Sequence, residues 1–322
     1  MRSARSNQGF TIPELMIAVV LVGLLGMALA SSFEGQKRFY NTNERVVETQ
    51  EDARLVLDLL KQDTRMAGFM VPGVSGIASV DGGALNADRF CVSDSTYFDL
   101  PDAATPETTL SFQVQHFLVS DSNQVTQINP PTQVQIRSLD IDGVLTANDF
   151  AVGSGVIISD GTTSHCAAIA ALDPVTNTIT LNAAHALPAT PFTLANTRVV
   201  PAIIYELTAP PGGGAATNLT RNGQLMSSTI DDLQVEYWAP ATPTNAPVHN
   251  LNDPVNGLNP ATISRVRITV VSRSTQADIG STKKFNGGQR PVIANRAAGA
   301  ADAFQRRVFA ANVMPRNIST QP

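Results

Sequence analysis

The sequence predicts an α+β chain: one long N-terminal helix, then a mainly antiparallel β-sheet domain. Three observations carry that prediction. Residues 10–33 form an almost uninterrupted apolar run, residues 53–67 repeat apolar positions at helical spacing, and short β-rich segments separated by turns follow from about residue 74. With 322 residues, 43% hydrophobic and 15% charged, the chain has the composition of a folded protein with ample length to bury a core. Its net charge of −5 is spread without a block of one sign, so it lacks the electrostatic footprint that nucleic-acid binding requires.

The first nine residues, MRSARSNQG, are basic through Arg2 and Arg5 and contain no acid. From Phe10 to Phe33 the only charge is Glu14. As a helix this stretch is about 36 Å long, enough to cross the hydrocarbon core of a bilayer. The basic leader is expected to stay cytoplasmic, which places everything after Ser32 outside. Three readings fit the segment. It is a Sec signal cut after Ala28-Leu29-Ala30, a plain single-pass anchor, or a leader cut on the cytoplasmic side with the apolar helix retained. Glu14 discriminates among them: a carboxylate within an apolar span costs roughly 2.5 kcal/mol or more unless it finds a partner. Neither a signal peptide nor a simple anchor has a use for it.

The helical pattern continues beyond Phe33 with changed character. Ala53, Val56, Leu57, Leu60, Thr64 and Ala67 mark one face, and Arg54, Asp58, Lys61 and Arg65 lie mostly on the other. Gly68 reads as a terminator and Pro72 forbids continuation. A helix of about sixty residues is expected, with Asn41–Asn43 as a candidate bend. Strands are expected at Leu110–Val119, Gln133–Leu139, Gly155–Ser159, Ala167–Leu172, Thr178–Leu181, Ile203–Leu207, Leu233–Trp238 and Ile263–Ser272. The run Asp173-Pro174-Val175-Thr176-Asn177 predicts a hairpin turn. Ala209–Gly214 reads as a flexible turn, and the proline-rich Ala239–Ala261 as a long loop, either solvated or touching a neighbouring subunit.

Local motifs for catalysis are missing from the sequence. His116, His165, His185 and His249 are scattered, with no zinc-ligand spacing, and no GxSxG, Walker A or GxGxxG string occurs. His165 and Cys166 adjoin, but neighbours on a strand point to opposite faces. Asp140-Ile141-Asp142-Gly143 with Asn148-Asp149 begins like a calcium loop, yet position twelve is Ala151, so turn chemistry is the better reading. No enzymatic activity, metal or cofactor is expected. Cys91 and Cys166 are the only cysteines. In an oxidising compartment they form a candidate disulfide; two buried thiols remain the alternative.

Gly9-Phe10-Thr11-Ile12-Pro13-Glu14-Leu15 resembles the type IV prepilin motif. The resemblance implies cleavage between Gly9 and Phe10, methylation of Phe10, and pairing of Glu14 with the α-amine of a neighbouring subunit during assembly. The alternative for Glu14 is a snorkelling or protonated carboxyl near the headgroups. Pro13 departs from the aliphatic residue usual there, but a proline in the first turn loses no intrahelical bond. Ala53–Leu60, Asp63–Phe69, Ile230–Tyr237, and Arg306–Phe309 with Pro315-Arg316-Asn317 are similar to segments of PilW-type minor pilins. J-type minor pseudopilins of type II secretion share the N-terminus and are the rival reading; a Sec-exported adhesin-like binding protein is the alternative from another class. The resemblance implies a pilin-like fold divided as leader 1–9, transmembrane and filament-core helix 10–33, amphipathic continuation 34–70 and β-rich body 71–322. It also implies prepilin peptidase, the major pilin, other minor pilins and a large tip adhesin as partners. The expected location is the inner membrane with the body in the periplasm, then the filament at the cell surface. The size of the body favours a minor or tip position over the repeating shaft.

Overall fold

The computed structural model describes residues 11–68, 76–94, 121–129, 131–141, 149–188, 192–240, 246–253, 257–275, 289–300, 302 and 304–318, with backbone alone at 38, 42, 45 and 48. The expected strand at 110–119 and the loop positions Pro72, Asp142, Gly143 and Asn148 lie outside them. The chain divides into two compact units, Met1–Glu48 and Thr49–Pro322. Helix α1 spans Ile12–Met66, 55 residues, against the sixty or so expected. Helical hydrogen bonding continues through Asn41–Asn43, so the polar side chains there interrupt the apolar pattern without interrupting the helix.

In the first unit, every described side chain from Thr11 to Tyr40 is exposed, and the stretch Ile12–Asn41 is long and apolar enough to cross a membrane. In the second unit α1 behaves as its periodicity demands. Ala53, Val56, Leu57, Leu60, Thr64 and Ala67 are all buried, while Arg54, Asp58 and Arg65 face solvent. The Thr64 hydroxyl is kept from being an orphan by donating to the Leu60 carbonyl, 2.6 Å. Termination at Gly68 follows from its φ of +80°; a Cβ there would also press on Ile318 at 3.0 Å.

Thirteen strands follow among the described residues. In chain order they are β1 (Ile77–Val80), β2 (Arg89–Ser93), β3 (Val125–Asn129), β4 (Gln133–Ile136), β5 (Gly155–Ser159), β6 (Ser164–Asp173) and β7 (Thr178–Leu181). Then come β8 (Arg198–Thr208), β9 (Asn218–Arg221), β10 (Gln224–Ser227), β11 (Ile230–Trp238), β12 (Arg265–Arg273) and β13 (Arg306–Val313). Ten of them form one sheet in the order β1-β2-β8-β5-β6-β7-β4-β3, with β9 on β8 and β10 on β9; β11-β12-β13 form a second. All pairings are antiparallel. The predicted hairpin turn joins β6 to β7: Asp173 Oδ1 accepts from Val175 N at 3.0 Å, and Asn177 takes a φ of +51°.

The main core lies between α1, the β2–β8–β9 part of the large sheet and the inner face of the small sheet. It includes Leu60, Phe90, Tyr205, Leu233, Tyr237 and Ile268. The large sheet is also curled on itself. Cys91 on β2 and Cys166 on β6 stand three strands apart, about 14 Å in a flat sheet. Their Cα atoms are nevertheless 5.5 Å apart and joined by a disulfide, so β2-β8-β5-β6 wraps into a roll. Small side chains fill its interior: Ala78, Ala168 and Ala202 pack with Ile157, Val200 and Ile204 around the cystine. Gly155 on β5 permits the tight approach of β8, since a Cβ there would sit 2.8 Å from the Ala202 carbonyl oxygen.

Among the described residues no strand pairs with the outer edge of β6 from Ser164 to Ala168; three side chains and the Asn182 N–H, which donates to Ala168 O at 2.9 Å, take up part of it. The Asn252 amide accepts from Ser164 N (3.0 Å) and donates to Ser164 O (2.6 Å), as a strand neighbour would. Arg89 Nε donates to Cys166 O at 3.0 Å, and Ala168 N donates to His185 Nδ1 at 2.9 Å. Residues 246–253 of the loop after β11, for which the sequence left a solvated and a neighbour-touching reading open, lie along the body, with Leu251 buried and Val248 bridging Tyr237.

Asp88, at the entry to β2, is buried while accepting from Val235 N at 2.7 Å and Gly82 N at 3.0 Å. Burial, reinforced by the charges of Asp81 and Asp232, pushes its pKa up to about 7. In the unfolded chain it ionises near pH 4, so between about pH 4 and 7 the folded state holds a proton that the unfolded state has lost. Stability contributed by this group is therefore full below pH 4 and falls as pH rises to 7, by roughly 2–4 kcal/mol. Urea denaturation of Asp88→Asn is expected to show a flatter decline across that window than the parent; a parallel decline would contradict it.

Candidate functional site

The candidate site begins where α1 begins. Thr11 is its N-cap, and the first helical hydrogen bond runs from Leu15 N to Thr11 O, 3.2 Å. Pro13 is the second helical residue, in the first turn, where its missing N–H costs nothing. Glu14 is the third. Its Oε2 accepts from Thr11 N at 3.1 Å and from Thr11 Oγ1 at 2.9 Å, the acidic half of a capping box. Glu14 thus sits among otherwise apolar exposed side chains and is satisfied by its own chain. Gly9 and Phe10 lie outside the described residues.

A second polar constellation fixes the C-terminal half of α1. The buried Tyr205 hydroxyl donates to Asp63 Oδ2, and Arg221 Nε donates to the same oxygen at 3.1 Å. Burial, with the Asp63 carboxylate next, raises the Tyr205 pKa and keeps the phenol protonated. About three turns earlier, Asp52 Oδ2 accepts from Thr229 Oγ1 at 3.2 Å. These anchors escaped the sequence reading. The available signal was a carboxylate beside the apolar stripe at Asp63, whose partners 142 and 158 positions later no local pattern reveals. Asp63→Ala leaves a buried phenol without its acceptor and Arg221 without its counter-charge. A loss of about 2–4 kcal/mol in urea denaturation is expected, and a loss below about 1 kcal/mol would show the contact to be dispensable.

The remaining candidates that are described have the following partners. Cys166 is in the disulfide with Cys91, which settles the choice between bridge and thiols. His165, on the opposite face, donates from Nε2 to the His185 carbonyl at 3.1 Å; burial lowers its pKa to about 4 and keeps it neutral. His185 accepts at Nδ1, so its proton resides on Nε2 and points at Glu206 Oε2, 2.9 Å away. His116 lies outside the described residues. Asp149 Oδ2 accepts from Ile141 N at 2.5 Å, closing the segment between them, whose residues 142–148 lie outside the described ones. Among the described residues no group of three or more His, Cys, Asp or Glu side chains is placed to hold a metal.

Comparison with known proteins adds one specific finding. Residues 4–30 match the family described as the prokaryotic N-terminal methylation motif, so the chain carries that motif. Among solved structures it is similar to the type IV-like pilin TTHA1219 from Thermus thermophilus, at 10% identity and a TM-score of 0.29, over 84% of this chain and 96% of that one. No curated protein sequence matches it significantly.

Proposed function

We propose that this protein is a non-catalytic structural subunit of a type IV pilus, a minor pilin similar to the PilW type. The observation that carries the reading is the methylation motif over residues 4–30 running directly into a helix whose apolar side chains are uncovered from Ile12 to Tyr40. Prepilin peptidase would cut between Gly9 and Phe10 and methylate Phe10. The subunit would wait in the inner membrane with its body in the periplasm. It would then enter the filament by burying the helix against those of the major pilin and other minor pilins. During that step the α-amine of a neighbour would take Glu14 over from Thr11, since a buried carboxylate is tolerable beside an ammonium. The bulk of residues 49–322 supports a place at the tip, or in priming, rather than at every step of a thin shaft.

Sequencing of the mature N-terminus tests this directly. N-methylated Phe10 is expected; a start at Ser31 would mean Sec cleavage and end the pilin reading. Glu14→Ala is expected to be processed normally and yet to be missing from sheared filaments. Immunogold labelling spread evenly along the fibre would count against the tip position, and co-purification with secretion-system components alone would favour the pseudopilus.

A further inference from the structure

Four arginines surround one cavity of about 440 Å³ between the small sheet and residues 289–306. Two of them, Arg273 on β12 and Arg306 on β13, are directly opposite in the strand register, an arrangement that is unfavourable without an anion between them. Asp231 supplies part of that charge, 2.8 Å from Arg306 Nε and 3.8 Å from the nearest Arg273 nitrogen. Asp302 then saturates Arg306 with two bonds of 2.6 Å. Arg290 and Arg296 share the single carboxylate of Asp232, and the Nε of each is buried without an acceptor. Four guanidinium groups therefore meet three carboxylates, in a chain whose overall charge is −5.

The shortage is greatest at Arg273. Its carboxylate contact is long, its guanidinium lies over the Phe304 ring at 4.6 Å, and its side chain is 22% exposed, the most open of the four. Burial, followed by repulsion from Arg296, lowers the pKa of Arg290, as expected where guanidinium groups crowd one another. Leu207 and Ala216 line the same cavity, giving it an apolar wall beside the cationic one. We infer that this cavity binds a small organic carboxylate, with the Arg273 guanidinium gripping the carboxylate and the Leu207–Ala216 wall covering its apolar stem. A planar fork meeting a carboxylate gives directional bonds that a spherical anion does not exploit.

Calorimetric titration of the full chain in detergent micelles tests the inference with three probes: glutarate, its neutral analogue glutaramide, and inorganic phosphate. Saturable binding of glutarate is expected, with glutaramide inert and phosphate weaker. Arg273→Gln should weaken glutarate by at least about tenfold, with Arg273→Lys in between. Ala216→Glu, at an exposed wall position, should abolish the binding by placing a tethered carboxylate in the cavity. Equal binding of glutaramide, phosphate as tight as glutarate, no saturable binding of glutarate, or undiminished binding in folded Ala216→Glu would each overturn it.

Discussion

Gly9→Leu is expected to leave residues 1–9 attached, giving a protein of full-length mass that stays in the membrane and never appears in filaments. The physical reason lies in the backbone. A protease must approach the main chain at the residue it cuts behind, and a bulky side chain at Gly9 blocks that approach. The consequence spreads past the cut itself. In the proposed assembly an uncut leader would leave no Phe10 ammonium for the Glu14 of a neighbouring copy, and burying an unpaired carboxylate in an apolar helix bundle costs several kcal/mol. Intact-mass analysis decides, because normal removal of the leader from Gly9→Leu would dismiss the cleavage assignment.

The second large effect is in the body. Replacing Cys91 and Cys166 together by alanine should cost about 4 kcal/mol, the stability expected for a cross-link over a separation of 75 residues. The bridge ties two strands that share no backbone hydrogen bonds in the sheet order, so the seam of the roll loses its one covalent tie. Both sulfurs sit among Ala78, Ala168 and Ile157 with no exposure, which means the substituted methyl groups leave small voids as well. Urea denaturation of the double variant, and of the parent with and without reductant, measures the loss. A parent whose stability is indifferent to reductant would contradict it.

How far the sequence revealed this molecule depends on the range of the interaction concerned. The buried face of α1 was legible residue by residue, from Ala53 to Ala67, because a 3.6-residue period is written locally. Gly155–Ser159 and Thr178–Leu181 were also legible, as short β-branched runs between turns. The β9–β10 hairpin was missed although its signal was present: Asn222-Gly223, both at positive φ, make the tight turn that this dipeptide favours. β2 and β13 were missed for a different reason. Their residues include Arg89, Arg306, Arg307 and Asn312, which do not alternate, and they become strands through pairing with β8 and β12 far away in sequence. The curl of the large sheet was illegible for the same cause. It is a property of strand order, and the two cysteines that report it were open to either reading until their distance was known.

The candidate site divided along the same line. Glu14 was conspicuous because its charge violates the composition around it, whereas Thr11, whose hydroxyl donates to it, was an ordinary polar residue until α1 had a first turn. Asp63 stood in the sequence only as the first residue of the segment Asp63–Phe69, and only Tyr205 and Arg221 make it an anchor.

The side chains that finish the outer edge of β6 bear on how copies of this protein coexist. Confined to a membrane, such chains meet one another at high local density, where bare strand edges would zip neighbouring bodies together indiscriminately. Asn252, Arg89 and His185 occupy that rail of donors and acceptors with groups that cannot be extended by another backbone. Neighbouring copies are thereby steered away from edge-on stacking at this seam, which, in the assembly proposed above, would leave ordered growth to the apolar helix.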